Sequence, residues 1–312
     1  MGKIGFLFSG QGAQTIGMGE DLFKNREECK NVFKSGENLL NMDILNKMFN
    51  GDEETLKKTS IAQPAIVLTS LAAAEALKNE GIECDYSCGL SLGEYTALIH
   101  SRVISFEDGI KLVKERGRIM EEAGIKVKGK MAAVLKLKED KVEELVNRCK
   151  EFGIIEVANY NCPGQIVIGG ESDPIDKSIE IVKELGGMAI PLKVSGAFHT
   201  SLLKEASEEF YDYIEKVRFN EIDEKIYSNL KGNLYVKEDN IKNILKNHMV
   251  KPVYFEKIIR DMILKGVDIF IEIGPGKTLT GFVKKIDRKV KVLNVYDIES
   301  LNNCIKIIKQ YD

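Results

Sequence analysis

The sequence has 312 residues, of which 44% are hydrophobic, so the chain is long enough to bury a large core without help from metals or disulfides. Lysine and arginine total 45 against 48 for aspartate and glutamate, and the net charge of -3 favours neither nucleic acid nor an anionic membrane as a partner. The amino terminus lacks a signal-peptide pattern, and no apolar run reaches the roughly 20 residues that a membrane span needs. We therefore expect a cytoplasmic protein with one large and one smaller domain, or with two domains.

The first part of the chain has the pattern of an α/β fold. Its apolar runs predict, in order, strand 4–8, helix 63–80, strand 86–90, helix 92–100 and helix 106–123. The first strand leads into a glycine loop that contains Gln11, and the helix over 63–80 has a proline near its start. Ser91 is expected at a strand-to-helix turn, and Arg116 within the last of these helices.

The pattern changes at about residue 129. The segments that follow predict strand 131–137, helix 139–152, strand 154–159, strand 165–169, helix 174–185 and strand 188–194. This βαββαβ order is that of the ferredoxin-like split unit. We predict an inserted ferredoxin-like subdomain over residues 129–194.

Beyond residue 194 the α/β pattern returns. It predicts helix 201–217, strand 225–228, helix 255–265, strand 268–273, strand 290–295 and a short terminal helix. Strands that alternate with helices favour a parallel sheet covered on both faces. The predicted fold class is therefore α/β, with a large subdomain over residues 1–128 and 195–312.

The segment Gly89-Leu90-Ser91-Leu92-Gly93 has the Gly-x-Ser-x-Gly pattern of a nucleophile elbow. Its glycines allow a strained turn that exposes the serine hydroxyl, and the N–H of Leu92 at the start of a helix would stabilise an oxyanion. The alternative is an N-cap serine that lies between two glycines by chance.

A serine nucleophile needs a base, usually a histidine, and the chain has three. His100 ends the helix that starts at Ser91 and lies about nine residues, or roughly 13 Å, along its axis. His248 lies in a polar stretch that is typical of the surface. His199 follows a predicted strand end and precedes a predicted helix, which is where sites gather in open α/β sheets, so it is the favoured base, with a structural role as the alternative.

Ser91, His199 and four further segments resemble the malonyl-CoA:acyl-carrier-protein transacylases of fatty acid synthesis and the related acyltransferase domains of polyketide synthases. The similar segments are residues 8–14, 63–65, 89–94, 116–117, 197–199 and 272–276. The resemblance implies an α/β-hydrolase-like large subdomain that carries Ser91 and His199, with the insertion closing over a cleft. The backbone N–H groups of Gln11 and Leu92 would form the oxyanion hole.

The resemblance also assigns substrate contacts. Arg116 would hold the free carboxylate of malonate through a two-pronged pair, and Gln63 belongs to a substrate-binding segment. On position alone, however, Arg116 reads as part of a solvated helix face. A backbone carbonyl at the position of His248 would orient His199, which makes the identity of that residue secondary.

Phe198 bears on substrate choice, and three other positions depart from the family pattern. The Phe198 ring fills the space that an α-methyl group would need, so we predict malonyl over methylmalonyl, a preference of about 1 to 3 kcal/mol. Leu90 replaces a histidine, Glu121 a glutamine and His248 a glutamine. Leu90 removes no group that the chemistry requires, and Glu121 concerns the polar contacts near the helix that carries Arg116.

The resemblance implies malonyl-CoA and acyl carrier protein as partners, with the coenzyme A thioester as substrate and no other cofactor. We expect a monomer, no metal, and reduced thiols, since the six cysteines form no Cys-x-x-Cys pair. The alternatives are a polyketide acyltransferase, a serine esterase or thioesterase, and a carrier-binding module without catalysis. A hydrolase would need a carboxylate between Ser91 and His199, for which the candidates are Asp108, Asp140, Asp173 and Asp176.

Overall fold

The computed structural model describes residues 2–310, and the structural statements below refer to that range. The strands are β1 Lys3–Phe8, β2 Tyr86–Gly89, β3 Lys130–Leu135, β4 Ile155–Cys162, β5 Gln165–Gly170, β6 Met188–Pro191, β7 Tyr227–Ser228, β8 Asn233–Leu234, β9 Val267–Ile273 and β10 Lys291–Val295. The α-helices are α1 Glu20–Asn25, α2 Glu27–Leu40, α3 Ile44–Phe49, α4 Glu53–Lys57, α5 Thr59–Asn79, α6 Leu92–His100, α7 Phe106–Val127, α8 Glu139–Cys149, α9 Ser172–Glu184, α10 Lys204–Ile214, α11 Ile241–His248, α12 Phe255–Leu264, α13 Thr278–Ile286 and α14 Ile298–Ile308.

A parallel sheet with the strand order β10-β9-β1-β2 forms the centre of the larger part, which confirms the predicted α/β class. Alternate residues of β1 belong to different apolar cores. Phe6 and Phe8 pack into the core that contains α5, and Leu7 packs into the core that contains α12. Both faces are therefore covered, as strands with continuous apolar sequence require.

The carboxyl ends of three parallel strands meet at one edge of this sheet. Phe8 of β1 is paired with Gly89 of β2 and with Ile273 of β9. The segments that follow these strands, which include Gln11 and Ser91, consequently lie beside one another. Ligands in open α/β sheets bind at such an edge.

The long helix α5 differs from its prediction at its start. It begins at Thr59, so Pro64 lies inside the helix rather than near its start. It is also long and apolar enough to cross a membrane by length and mean hydropathy, although polar and charged residues interrupt its apolar sequence. Its most apolar window is 83% buried within the protein, which is the environment of a core helix.

A second sheet has the strand order β4-β5-β3-β6, and all its neighbouring strands are antiparallel. Helices α8 and α9 share an apolar core with it. The last strand ends at Pro191, not at residue 194. The partner strand β3 begins at Lys130 and so provides few hydrogen-bonding groups beyond Pro191. Leu192 makes one more hydrogen bond, to the carbonyl of Met131, and the chain then leaves the sheet.

Several helices were not predicted. Four lie between β1 and α5 (α1 to α4), α11 lies after β8, and α13 lies after β9. Isolated helices of five to fourteen residues are marginal in water, so these depend on packing that the local sequence does not contain. The helix predicted over 201–217 starts with a 3-10 turn, Ser201–Leu203, and α10 ends at Ile214.

Candidate active site

Ser91 occupies a strained turn between β2 and α6. Its backbone has φ 52° and ψ -96°, a conformation that non-glycine residues rarely adopt and that is found at functional sites. Two glycines make the turn sterically allowed. A Cβ on Gly89 would overlap the backbone of Gly93, and a Cβ on Gly93 would overlap the carbonyl oxygen of Phe8. The glycines therefore permit the close approach of β1, β2 and α6.

We expect Gly93→Ala to lower the free energy of unfolding by about 1 to 3 kcal/mol or more, because an added methyl group must displace the backbone of β1. Thermal unfolding measures the effect. The matched control is Gly281→Ala in α13, where the new Cβ has no atom of another segment of residues 2–310 within 4 Å and alanine favours the helix by about 1 kcal/mol. Similar melting temperatures for the two variants would contradict this account of the turn.

His199 lies against the serine hydroxyl in a conformation suited to a base. Its Nε2 is 2.7 Å from Oγ of Ser91, and its Nδ1 is 2.7 Å from the carbonyl oxygen of His248. A carbonyl only accepts, so Nδ1 carries the proton and the lone pair of Nε2 faces the hydroxyl. Burial, together with the positive charge of Arg116, lowers the pKa of His199 to about 4, so the ring is neutral near pH 7.

The amides of Gln11 and Leu92 are free to bind an oxyanion. Among the described residues neither N–H has a hydrogen-bond partner, and Leu92 is the first residue of α6. The loop of Gln11 is close to the elbow, since a Cβ on Gly10 would come within 2.5 Å of the carbonyl oxygen of Leu90. These two amides are therefore donors beside Ser91 that no protein acceptor occupies.

Gln63 lies behind this loop and does not line the cleft described below. It is buried, and its Nε2 donates to Oε1 of Gln11 over 3.1 Å. Gln11 in turn donates from Nε2 to Oγ1 of Thr59 over 3.2 Å. The structure thus brings Gln63 to the site only through the side chain of Gln11.

Arg116 is a buried cation without a carboxylate partner. Its side chain is 1% exposed, so it does not belong to the solvated helix face that its position alone suggested. Nη2 donates to Oγ of Ser91 over 3.3 Å, and the guanidinium carbon lies 4.9 Å from the ring centroid of Tyr95. Nε has no partner, and no carboxylate of the described residues lies within ion-pair distance. An unpaired buried guanidinium next to the nucleophile is suited to bind an acidic substrate.

A cleft of about 260 Å³ opens on Ser91 and His199. One wall comes from the antiparallel sheet, and the other from the glycine loop, the elbow and α13. Phe198, only 5% exposed, is one of the residues that line the cleft. The lining includes Gln11, Leu90, Met131, Asn161, Val167 and Phe282. The site therefore lies between the two sheets.

Asn229 is a site residue that the sequence analysis missed. It is buried, and its Oδ1 accepts from the N–H of Ser91 over 2.6 Å, while Nδ2 donates to the carbonyl of Gly89 over 2.8 Å. Its own N–H donates to Glu94 over 3.0 Å. The available signal was a polar residue directly after the predicted strand 225–228.

The remaining polar predictions have mixed outcomes. His248 is fully buried, so the surface position expected from its polar neighbours was wrong, and its carbonyl accepts the hydrogen bond from Nδ1 of His199. His100 packs against the rings of Phe6 and Phe8, away from Ser91. Glu121 accepts from the N–H of Ser60 over 2.8 Å and so holds the start of α5.

The carboxylates that a hydrolase triad would need are not at the base. His199 Nδ1 faces a carbonyl, and none of the four aspartates considered is a hydrogen-bond partner of His199 within the described part of the chain. Asp176, for instance, pairs with Lys130 at the surface. In residues 2–310 no group of three or more His, Cys, Asp and Glu could hold a metal ion, and the six cysteines are free.

A serine paired with a histidine at the edge of a parallel sheet is compatible with acyl transfer, and the comparisons with known proteins assign the chain to that class. The chain belongs to the acyl transferase domain family, whose model matches residues 5–303. It is 39% identical over 312 residues to the malonyl CoA-acyl carrier protein transacylase of Bacillus subtilis strain 168, covering 99% of this chain and 98% of that relative.

Solved structures agree with this assignment. The malonyl CoA-acyl carrier protein transacylase of Clostridium perfringens is similar with a TM-score of 0.95 and 49% identity, over 99% of this chain and 98% of that one. A type II PKS acyl-carrier protein in complex with its malonyl-transacylase is similar with a TM-score of 0.94 and 29% identity, over 98% and 99% of the two chains.

Proposed function

We propose that the protein transfers malonyl from coenzyme A, through an ester on Ser91, to the phosphopantetheine thiol of an acyl carrier protein. The observation that carries this proposal is the contact of Ser91 Oγ with both a neutral imidazole, at 2.7 Å, and an unpaired buried guanidinium, at 3.3 Å. A base activates the serine, and a cation selects an acyl group that bears a carboxylate. The malonyl-specific names of the full-length relatives support the same substrate.

In the first half-reaction, Nε2 of His199 takes the hydroxyl proton while Oγ of Ser91 attacks the thioester carbonyl. The amides of Gln11 and Leu92 bind the oxyanion. The carbon–sulfur bond then breaks, and His199 returns its proton to the departing thiolate. The products are coenzyme A and malonyl-Ser91.

The second half-reaction is the reverse with another thiol. His199 accepts the proton of the phosphopantetheine thiol, whose sulfur attacks the ester carbonyl, and the protonated His199 returns a proton to Ser91 Oγ as it leaves. Two half-reactions that share a covalent intermediate give ping-pong kinetics. His248 takes part only through its carbonyl, which holds the tautomer of His199.

In the proposed reaction, Arg116 links the binding of the malonyl group to the basicity of His199. Its charge lowers the pKa of His199 in the free enzyme. When the malonyl carboxylate pairs with Arg116, that charge is neutralised and the pKa of His199 rises, so the base strengthens only with the correct substrate bound. An acetyl group has no carboxylate, so His199 remains a weak base and Arg116 remains a buried cation without a partner.

Phe198→Ser should raise the use of methylmalonyl-CoA relative to malonyl-CoA. Phe198 lines the cleft that opens on Ser91, and the space that an α-methyl group gains is worth about 1 to 3 kcal/mol, or roughly 5- to 150-fold in the ratio of kcat/KM. Competition between the two thioesters measures the ratio. Phe282→Ser, which changes another phenylalanine that lines the cleft, is the control, and an equal change in both variants would contradict a specific role for Phe198.

The finer architecture is also a proposal. We infer a ferredoxin-like subdomain over residues 129–194 and an α/β-hydrolase-like subdomain over 1–128 and 195–312. The antiparallel order β4-β5-β3-β6, with its own core, supports the first, and the strand–serine–helix turn at the edge of a parallel sheet supports the second. We further propose a cytoplasmic monomer.

Transfer from labelled malonyl-CoA to purified holo carrier proteins tests the function. We expect malonyl on the carrier thiol, with fatty acid and polyketide carriers compared side by side. Release of free malonate at the same rate with or without a carrier would instead indicate a thioesterase and contradict the proposal.

A further inference from the structure

A buried polar cluster lies behind His199, and of its side chains none has a role in the proposed acyl transfer. It consists of Glu94, Asn229, Tyr235 and His248, all at most 5% exposed. The hydroxyl of Tyr235 and the N–H of Asn229 both donate to the carboxyl of Glu94. Nδ1 of His248 lies 3.4 Å from Oε2 of Glu94. Burial of a carboxyl group costs free energy even when two donors and an imidazole surround it, so this arrangement points to a functional role.

The imidazole of His248 is neutral and lies between Glu94 and His199. Burial, followed by the charges of His199 and Arg116, lowers its pKa well below the usual value, so the contact with Glu94 is not an ion pair. Neither ring nitrogen has a hydrogen-bond partner. The ring centroid is 5.0 Å from that of His199. His248 thus fills the space between the carboxyl group and the base.

The positive charge that His199 gains during the reaction has no negatively charged hydrogen-bond partner. His199 becomes an imidazolium in each half-reaction, in a buried site next to Arg116, and its Nδ1 faces a neutral carbonyl instead of a carboxylate. An uncompensated positive charge in such a site is costly. Glu94 is a carboxyl group on the other side of His248 that supplies a negative charge.

We propose that Glu94 is a positioning residue for the base, whose carboxylate acts across the ring of His248 to stabilise the imidazolium of His199. This inference rests on the proposed acyl transfer through Ser91. It assigns to Glu94 the charge compensation that an aspartate bonded to the histidine provides in other serine enzymes.

The ionisation of Glu94 falls in a range that can be measured. Burial raises the pKa of its carboxyl to about 7, although donation from Tyr235 and from the N–H of Asn229 opposes the rise. The other titratable or charged groups that face it are Tyr95 on its own helix, Cys88 on β2, His248 on α11 and Arg116 on α7. Burial and the charge of Glu94 raise the pKa values of the Cys88 thiol and the Tyr235 phenol, so both stay neutral.

Glu94→Gln tests the proposal through the pH dependence of Ser91 acylation in single turnovers with malonyl-CoA. Glu94 is ionised above about pH 7, so the wild-type rate should rise through that pH, in addition to the rise near pH 4 as His199 loses its proton. The variant should lack the upper rise: its rate should match the wild type near pH 5.5 and be roughly tenfold lower at pH 8.5. A structural role for Glu94 would lower the rate by the same factor at every pH, which would overturn the proposal.

Tyr235→Phe is a second variant that tests the role of Glu94 if Glu94→Gln does not fold. It removes a donor to the carboxylate and should move the upper rise to higher pH without abolishing it. Glu272→Gln is the matched control, because it removes another buried carboxyl group, which binds the amides of Leu279 and Thr280, and should leave the position of the rise unchanged. A wild type that transfers no malonyl would refute the proposed function. A working wild type whose upper rise is unmoved in Tyr235→Phe would refute only the role of Glu94.

Discussion

Replacement of His199 by alanine should lower the rate of Ser91 acylation by about 10²- to 10⁴-fold, the usual contribution of a general base. The physical reason is that the serine hydroxyl then keeps its proton, since the Nε2 lone pair 2.7 Å away is its acceptor. The loss should be in the rate of coenzyme A release in single turnovers. Binding of malonyl-CoA should change far less, because Arg116 remains in place.

His100→Ala is the control for the loss of an imidazole. His100 packs on Phe6 and Phe8, so the variant should lose stability and keep the acylation rate of its folded fraction. Acylation of His199→Ala at the wild-type rate would contradict the assigned base. Equal loss of acylation in the two folded variants would do the same.

Arg116→Ala should reduce kcat/KM for malonyl-CoA by roughly 30- to 1000-fold, equivalent to the 2 to 4 kcal/mol of a desolvated charge pair. Use of acetyl-CoA should fall less or increase. An acetyl group leaves the guanidinium buried without a partner, and the substitution removes that penalty. The preference between the two thioesters should therefore shift toward acetyl.

Arg118→Ala provides the control on the same helix. Arg118 is partly exposed and pairs with Glu115, Glu122 and Glu209 at the surface. Exposed ion pairs contribute little, so the ratio of malonyl to acetyl activity should stay at the wild-type value. An unchanged ratio in Arg116→Ala would contradict the carboxylate clamp.

The local sequence was sufficient to predict the strands and helices on either side of Ser91. Helix α6 has the predicted bounds, and β1, β2 and α7 lie within a few residues of theirs, because glycine or serine residues lie at the ends of their apolar runs. The burial of Arg116 could also have been predicted from the sequence. It is three residues after Val113 and four before Met120, which both lie on the buried face of α7.

The groups that hold the site together could not be found in this way. Glu94, Asn229, Tyr235 and His248 are brought together by contacts between segments more than a hundred residues apart. His248 has polar neighbours, and its burial is decided by Tyr95 and His199 on other segments. Periodicity reports which face of an element is buried, but not which distant side chain meets it.

The central claim, that Ser91 carries the acyl group, is tested by mixing the protein with isotopically labelled malonyl-CoA, quenching in acid and mapping the label by peptide mass spectrometry. We predict one malonyl group on the peptide that contains Ser91, removed by holo acyl carrier protein and absent from Ser91→Ala. A labelled protein in which the Ser91 peptide is unmodified, or transfer to the carrier by Ser91→Ala at the wild-type rate, would contradict the account.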